Sequence, residues 1–487
     1  MAEGKVAKNT AYLLTAFVGQ KVLAFVYFTI VARWFGVEGS GRYFVALSFT
    51  TIFSIFVDLG LSNVLVREVA KVPEDAKKLL SNVLGLKVIL SVLTVAAVYV
   101  TARLLRFPPE TRLMISIASV VMVLDSIHLV FYAVMRGFQN LRYEAIGMIT
   151  GQIVIITTGL IFILSGLPLP YLIVALICGS TWNVLWSGNR LARHYGVLPR
   201  LSLDPAVAKF YWQVTVPFAV AGIFSRVYSY IDSVMLSRMV SETAVGFYGA
   251  AYKIVFAFQF LPMGLAAAVY PAMSGYYVTD RDRLGQVLVT SLRYLMLAVL
   301  PLTAGIFVLA PSVIHLVYGP AFSGSVKPLQ ILIFSLIPAF LYWPAGSLLN
   351  ACDRQIKNTA VMGATMVSNV LLNIFLLPRY GAVGAASAAL VSNTILFGSA
   401  LYFAARVTAF DWRALARSAS KTVFSAAVMG LAVHLIKDRV GILVAIPFGA
   451  IIYAGILWAV RGVTWAETKA LINVFLRRGR GVSDIVA

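Results

Sequence analysis

Residues 80–102 read LSNVLGLKVILSVLTVAAVYVTA, and Lys87 is the one charge among them. Such a run is long enough to cross the roughly 30 Å hydrocarbon core of a bilayer as a helix. Outward from it, comparable runs recur to both ends of the chain, near 11–32, 42–61, 113–135, 145–165, 169–189, 211–237, 245–271, 288–310, 325–349, 357–377, 382–405, 417–436 and 440–460. The pattern predicts an all-α integral membrane protein of about 14 spans. Of 487 residues 60% are apolar and 12% charged, against roughly 45–50% and about 25% in soluble domains. A soluble globular fold is excluded. Pro217, Pro262, Pro338 and Pro344 lack a backbone donor, so kinks or local breaks are expected there.

The formal net charge is +21, from 40 Lys and Arg against 19 Asp and Glu. No basic soluble module accompanies it, so nucleic acid is not an expected partner. The excess instead fits loops held against an anionic leaflet. With the N-terminus inside, loops on that side hold about 25 basic residues and the opposite loops about 10, which predicts both termini in the cytoplasm and a cytoplasmic-membrane location. Lys5 and Lys8 precede a first span with no cleavage site, which reads as a retained helix. The opposite loops are short, leaving no room for an external catalytic domain. Cys178 and Cys352 lie far apart in apolar runs and suggest neither a disulfide framework nor a metal cluster. No phosphate-binding loop of the G-x-x-x-x-G-K-[ST] type is present, which argues against nucleotide hydrolysis.

A shift of about 205 residues superposes the two halves: Gly41-Arg42-Tyr43 falls on Gly246-Phe247-Tyr248, Ala46 on Ala251 and Arg33 on Arg238. Two pseudo-symmetric six-helix lobes follow, at 1–200 and 201–410, with two further helices and a basic tail at 411–487. Repeats of this kind underlie secondary transporters, whose sites lie between the halves. Five cations fall inside predicted spans: Lys21, Lys87, Arg226, Lys253 and Arg293. Each costs about 2.5–3.5 kcal/mol at a helix centre, so they should face water or a partner. The shift pairs Lys21 with Arg226 and, within one residue, Lys87 with Arg293. This predicts a positive chamber. Guanidinium groups and lysines together suit a mobile, multiply charged phosphate ligand. The alternative for each cation is a snorkelling interfacial residue.

Asp58, Asp125 and Asp232 are the intramembrane acids. Each either holds a coupling ion, Na+ or H+, or balances a basic residue. Asp125 and His128, at i and i+3, could relay protons or form a structural pair; Asn369 and Asn373 read as helix-helix contacts. No other cofactor is expected. Gly39, Gly41, Gly246, Gly249, Gly381 and Gly384 sit at starts of helices, where small residues permit close packing. Residues 463–480, with Trp465, Phe475 and trailing arginines, read as an interfacial amphipathic helix.

Residues 38–68, EGSGRYFVALSFTTIFSIFVDLGLSNVLVRE, resemble the second-helix signature of the polysaccharide transporter branch of the multidrug, oligosaccharidyl-lipid and polysaccharide flippase superfamily. Residues 228–254, YSYIDSVMLSRMVSETAVGFYGAAYKI, are similar to its seventh and eighth helices, with Asp232 at the acidic position. LVYGPAFSGSVKPLQIL at 316–332 and SNVLLNIFLLPRYGAVGAASAALVSN at 368–393 resemble its tenth to twelfth helices. The resemblance implies two six-helix bundles, alternating access, and transport of an anionic polyprenyl phosphate- or pyrophosphate-linked oligosaccharide, with glycan assembly proteins as further partners. It implies no enzymatic step. Two other readings compete: a cation-coupled multidrug extruder, disfavoured by a cavity rich in Lys and Arg, and a membrane glycosyltransferase or ligase, disfavoured by the short external loops. A non-transporting scaffold would leave the intramembrane charge unexplained.

Overall fold

The computed structural model describes residues 2–463, and the amphipathic segment expected at 463–480 lies almost wholly outside them. Among the described residues there is no strand. The helices are α1 Ala2–Asp58, α2 Leu61–Lys71, α3 Ala76–Leu104, α4 Pro109–Gly137, α5 Arg142–Leu164, α6 Tyr171–Tyr195, α7 Pro205–Met239, α8 Glu242–Phe256, α9 Phe260–Thr279, α10 Arg281–Tyr318, α11 Val326–Ala351, α12 Gln355–Ala405, α13 Trp412–Ile436 and α14 Ile442–Ala459.

Ten helical stretches are long and apolar enough to span a bilayer, and two bent pairs raise this to 12. Two of the stretches, at 44 and 51 residues, are about twice the length one crossing needs. Each is interrupted by a glycine at positive φ: Gly36 at 69° in α1 and Gly381 at 53° in α12. An L side chain is strained there, and glycine is not. Reading each as two spans gives 12 + 2 = 14, in agreement with the hydropathy pattern.

The prolines act unequally. The stretches Lys209–Thr215 and Ala219–Met239 meet at 54° around Pro217, and α8 and α9 meet at 40° just before Pro262. By contrast α11 runs through Pro338 and Pro344 as one helix without a break. Both of these prolines are buried, and packing on neighbouring helices holds α11 together despite the lost backbone bonds. Elsewhere α6 stops at Gly196 in the left-handed region, while Asp280 and Asp411 cap α10 and α13 by accepting from backbone N–H groups two and three residues on.

The chain divides into two compact units, Met1–Gly249 and Ala250–Ala487. In the first, α1 packs on α3, α4, α5 and α7, and α2 folds back against α3 and α4. Sequence reading treated residues 62–79 as a loop. Yet Leu61, Val64, Leu65 and Val69 recur at helical spacing and are buried, giving α2 one apolar face that joins Leu80, Val83, Val130 and Val134 in a core. In the second unit α11 pairs with α12 around Ala345, Leu349 and Ala400, and α10 packs on α13 and α14 around Leu309, Met429, Val433 and Ala445.

Candidate functional site

Within the first unit, α1 and α7 run in contact, and each carries an exposed cation on the stretch leading to its break or end. Lys21 lies about 15 residues before Gly36, and Arg226 about 14 before Val240, so both stand roughly 21–22 Å from the same end of the spans. That depth is inside a 30 Å core. The two cations lie near enough to influence one another, and Tyr230 lies near Arg226. Arg226 has no carboxylate partner among the described residues. Two like charges held together at this depth repel, and the repulsion grows as the local dielectric falls. A bound anion reverses its sign.

Lys87 occupies a different environment. It is 2% exposed, and its ammonium donates to Asp58 Oδ1 at 2.5 Å, to Ser126 Oγ at 2.6 Å and to the Ser126 carbonyl at 3.2 Å. Asp58 also accepts from the Ser62 hydroxyl. All three ammonium donors are used inside the protein. The expectation that Lys87 faces an open chamber is therefore corrected: an acid at the end of α1 lies within reach and neutralises it. Arg293, its partner in the repeat, is half-buried near the end of α14. It donates to the Gly462 carbonyl at 3.0 Å just beyond α14, beside Lys421, which donates to the Arg461 carbonyl at 2.9 Å. Two cations thus meet the negative end of one helix. Lys253 sits half-buried in the last turn of α8, in the second unit.

The acids separate as clearly. Asp58 is ion-paired. Asp232 is 5% exposed and accepts a hydrogen bond of 2.9 Å from the Tyr248 hydroxyl. Asp125 is open, its side chain 48% exposed, and it accepts from the Ser180 hydroxyl at 2.6 Å and meets His128 Nε2 at 3.2 Å. The His128 ring rests edge-on to Tyr132, whose hydroxyl donates to Asn183 Oδ1 at 2.8 Å. This polar chain crosses from α4 to α6. The Asn373 amide donates to the Asn369 carbonyl and side-chain oxygen within α12, both residues being fully buried. Among the described residues no group of three metal-ligating side chains forms.

A second charged centre escaped the sequence reading. Arg42, just past the Gly36 break in α1, joins Glu38, Glu110 and Glu242. The signal was present in the Gly41 and Gly246 correspondence, but a charge at a span's end has no insertion cost to draw attention to it.

The fold and its intramembrane charges define a multi-pass α-helical membrane transporter. The chain belongs to the polysaccharide biosynthesis protein family, whose family model matches residues 6–277, more than half its length. A second model, MatE, matches residues 217–375. The chain is 23% identical to the "probable low-salt glycan biosynthesis flippase Agl15" of Haloferax volcanii, over 80% of this chain and 82% of that one. Among solved structures it is similar to a lipid II flippase MurJ in an inward closed conformation, with a TM-score of 0.75, 17% identity, and coverage of 91% and 97%. It is also similar to an inward-facing multidrug resistance MATE family transporter, with a TM-score of 0.67, 16% identity, and coverage of 82% and 99%. These two likenesses establish the fold, that of the flippase superfamily the sequence resembles.

Proposed function

We propose that this protein is a flippase that carries a lipid-linked oligosaccharide across the membrane by alternating access, binding the anionic phosphate or pyrophosphate of its polyprenyl carrier at Lys21 and Arg226. The observation that carries this reading is the exposed, mutually repelling cation pair inside the span region. A guanidinium donates two parallel hydrogen bonds to a phosphate, while a lysine supplies a movable point charge. The family, and a relative named as a glycan biosynthesis flippase, support the same cargo class. An organic cation would be repelled by this pair, which disfavours the drug-extruder reading.

With the termini in the cytoplasm, the headgroup travels from the cytoplasmic to the outer leaflet of the cytoplasmic membrane, and an inside-negative potential assists an anion by about 2.3 kcal/mol per charge per 100 mV. Asp125, exposed, and Asp232, buried against Tyr248, are the acids proposed to hold a coupling Na+ or H+; Asp58 balances charge. The chain performs no chemistry of its own, and glycan assembly proteins supply the loaded lipid. The test is headgroup translocation in liposomes by wild type, Lys21→Ala and Arg226→Ala, with a fluorescent polyprenyl pyrophosphate-linked oligosaccharide. Loss in both variants supports the site; unchanged flipping by both removes these residues from it.

A further inference from the structure

The end of the spans farthest from the start of α1 is held by a contact of unusual closeness. A Cβ on Gly41 would stand 1.9 Å from the Glu242 carbonyl oxygen, and one on Gly246 would stand 2.0 Å from the Val37 carbonyl oxygen. Backbone meets backbone, which only glycine permits. The two halves of this contact are equivalent: adding 205 takes Gly41 to Gly246 and Val37 to Glu242. Each repeat therefore offers its glycine to the same position of the other, as across a local two-fold axis.

A polar clasp sits on this contact. Arg42 Nε donates to Glu242 Oε2 at 2.7 Å, and its terminal nitrogens donate to Glu38 at 2.5 Å and to Glu110. The Thr111 hydroxyl donates to the other Glu242 oxygen. One carboxylate on α8 is thereby tied to α1 and to α4, and Glu242 is 10% exposed on its side chain against 57% for Glu38 and 40% for Glu110. Phe107 lies beneath, edge-on to Phe49, with the Arg238 guanidinium over its face.

We infer that Gly41, Gly246 and the Arg42–Glu242 ion pair form a latch that closes this end of the spans, and that α8 releases α1 and α4 there during the transport cycle. The chemistry of the two partners suits a contact made to open. When Glu242 leaves, Arg42 keeps Glu38 and Glu110, so no cation is stranded. Glu242 itself lies in the first turn of α8, where free N–H groups and the helix dipole favour a negative charge. At Gly41 and Gly246 themselves the contact is to backbone carbonyls, so parting them breaks no side-chain hydrogen bond of either glycine. Lys87 and Asp58 show the opposite arrangement, since their separation would leave a bare ammonium 2% exposed. The latch concerns the motion of helices and holds for any cargo, so its failure and the failure of the substrate assignment are separate results.

The experiment is pulsed electron-electron distance measurement on the full chain in nanodiscs. Cys178 and Cys352 are replaced by alanine, and nitroxides are placed at Leu104→Cys and Val240→Cys, 75% and 42% exposed in the native chain. The parent should give one dominant short distance. Gly246→Val, whose side chain cannot coexist with the Val37 carbonyl, should move most of the population to a longer distance. Glu242→Gln should raise the longer-distance fraction several-fold. Gly264→Val, at a glycine with no atom within 4 Å of its Cβ position, should leave the parent distribution. Unchanged distances in monodisperse Gly246→Val and Glu242→Gln would overturn the latch. If Gly246→Val does not fold, Glu242→Gln alone decides.

Discussion

Lys21 and Lys87 begin as the same kind of residue, a lysine inside an apolar span with a basic counterpart in the second repeat, and they end in opposite conditions. Lys87 is enclosed, its ammonium shared between Asp58 and Ser126. Lys21 is exposed beside Arg226. The insertion penalty of an intramembrane cation can be met by enclosure with an acid, as at Lys87, or at a more exposed position, as at Lys21. One lysine ties the end of α1 to α3 and α4. The other, with Arg226, forms the candidate site.

Breaking the buried pair should have the largest effect on stability. Lys87→Ala strands a carboxylate and should cost about 3–5 kcal/mol, read by thermal unfolding in detergent. The double replacement Lys87→Met with Asp58→Leu should recover most of it; a single variant as stable as wild type would place Lys87 on the ligand-accessible side after all. Arg226→Ala should leave unfolding unchanged but weaken binding of inorganic pyrophosphate, measured calorimetrically, by about 10- to 100-fold, the worth of a hydrogen bond to a charged group. Arg226→Lys should fall between, because it loses the two-pronged geometry. Tyr248→Phe removes the hydroxyl that Asp232 accepts from, and should lower stability by about 0.5–1.5 kcal/mol. Smallest is Arg293→Gln, at about 0.3–1 kcal/mol for a cation at a helix C-terminus. It should not alter pyrophosphate affinity; a tenfold loss would return Arg293 to the binding chamber.

Much of the architecture was legible. Span lengths, the breaks at Pro217 and before Pro262, and the glycines in the connections follow from residue type alone. α2 was overlooked because its apolar stripe is short and embedded among charges, although Leu61, Val64, Leu65 and Val69 spell a helical face. At Pro338 and Pro344 the helix stays unbroken, since the effect of a proline depends on what surrounds α11. For the site, the repeat arithmetic picked out two cation pairs, one exact and one within a residue. Lys21 and Arg226 do lie near each other, on α1 and α7. Lys87 and Arg293 have partners the arithmetic could not supply, because Asp58 and the end of α14 are brought to them by folding. Arg42 and its three carboxylates went unread for the complementary reason: charge at a span's end is ordinary until a distant glutamate arrives.

What the chain determines by itself is how many times it crosses a membrane and which charges must be accounted for inside it. Transfer from water to hydrocarbon adds up residue by residue along a segment, so a window of sequence holds the answer. Only the tertiary structure decides whether a given charge is enclosed or exposed. That depends on rotation about each helix axis, about 100° per residue, and on which remote segment packs against that face. Neither quantity is local, and so Lys21 and Lys87, alike in sequence, took different roles.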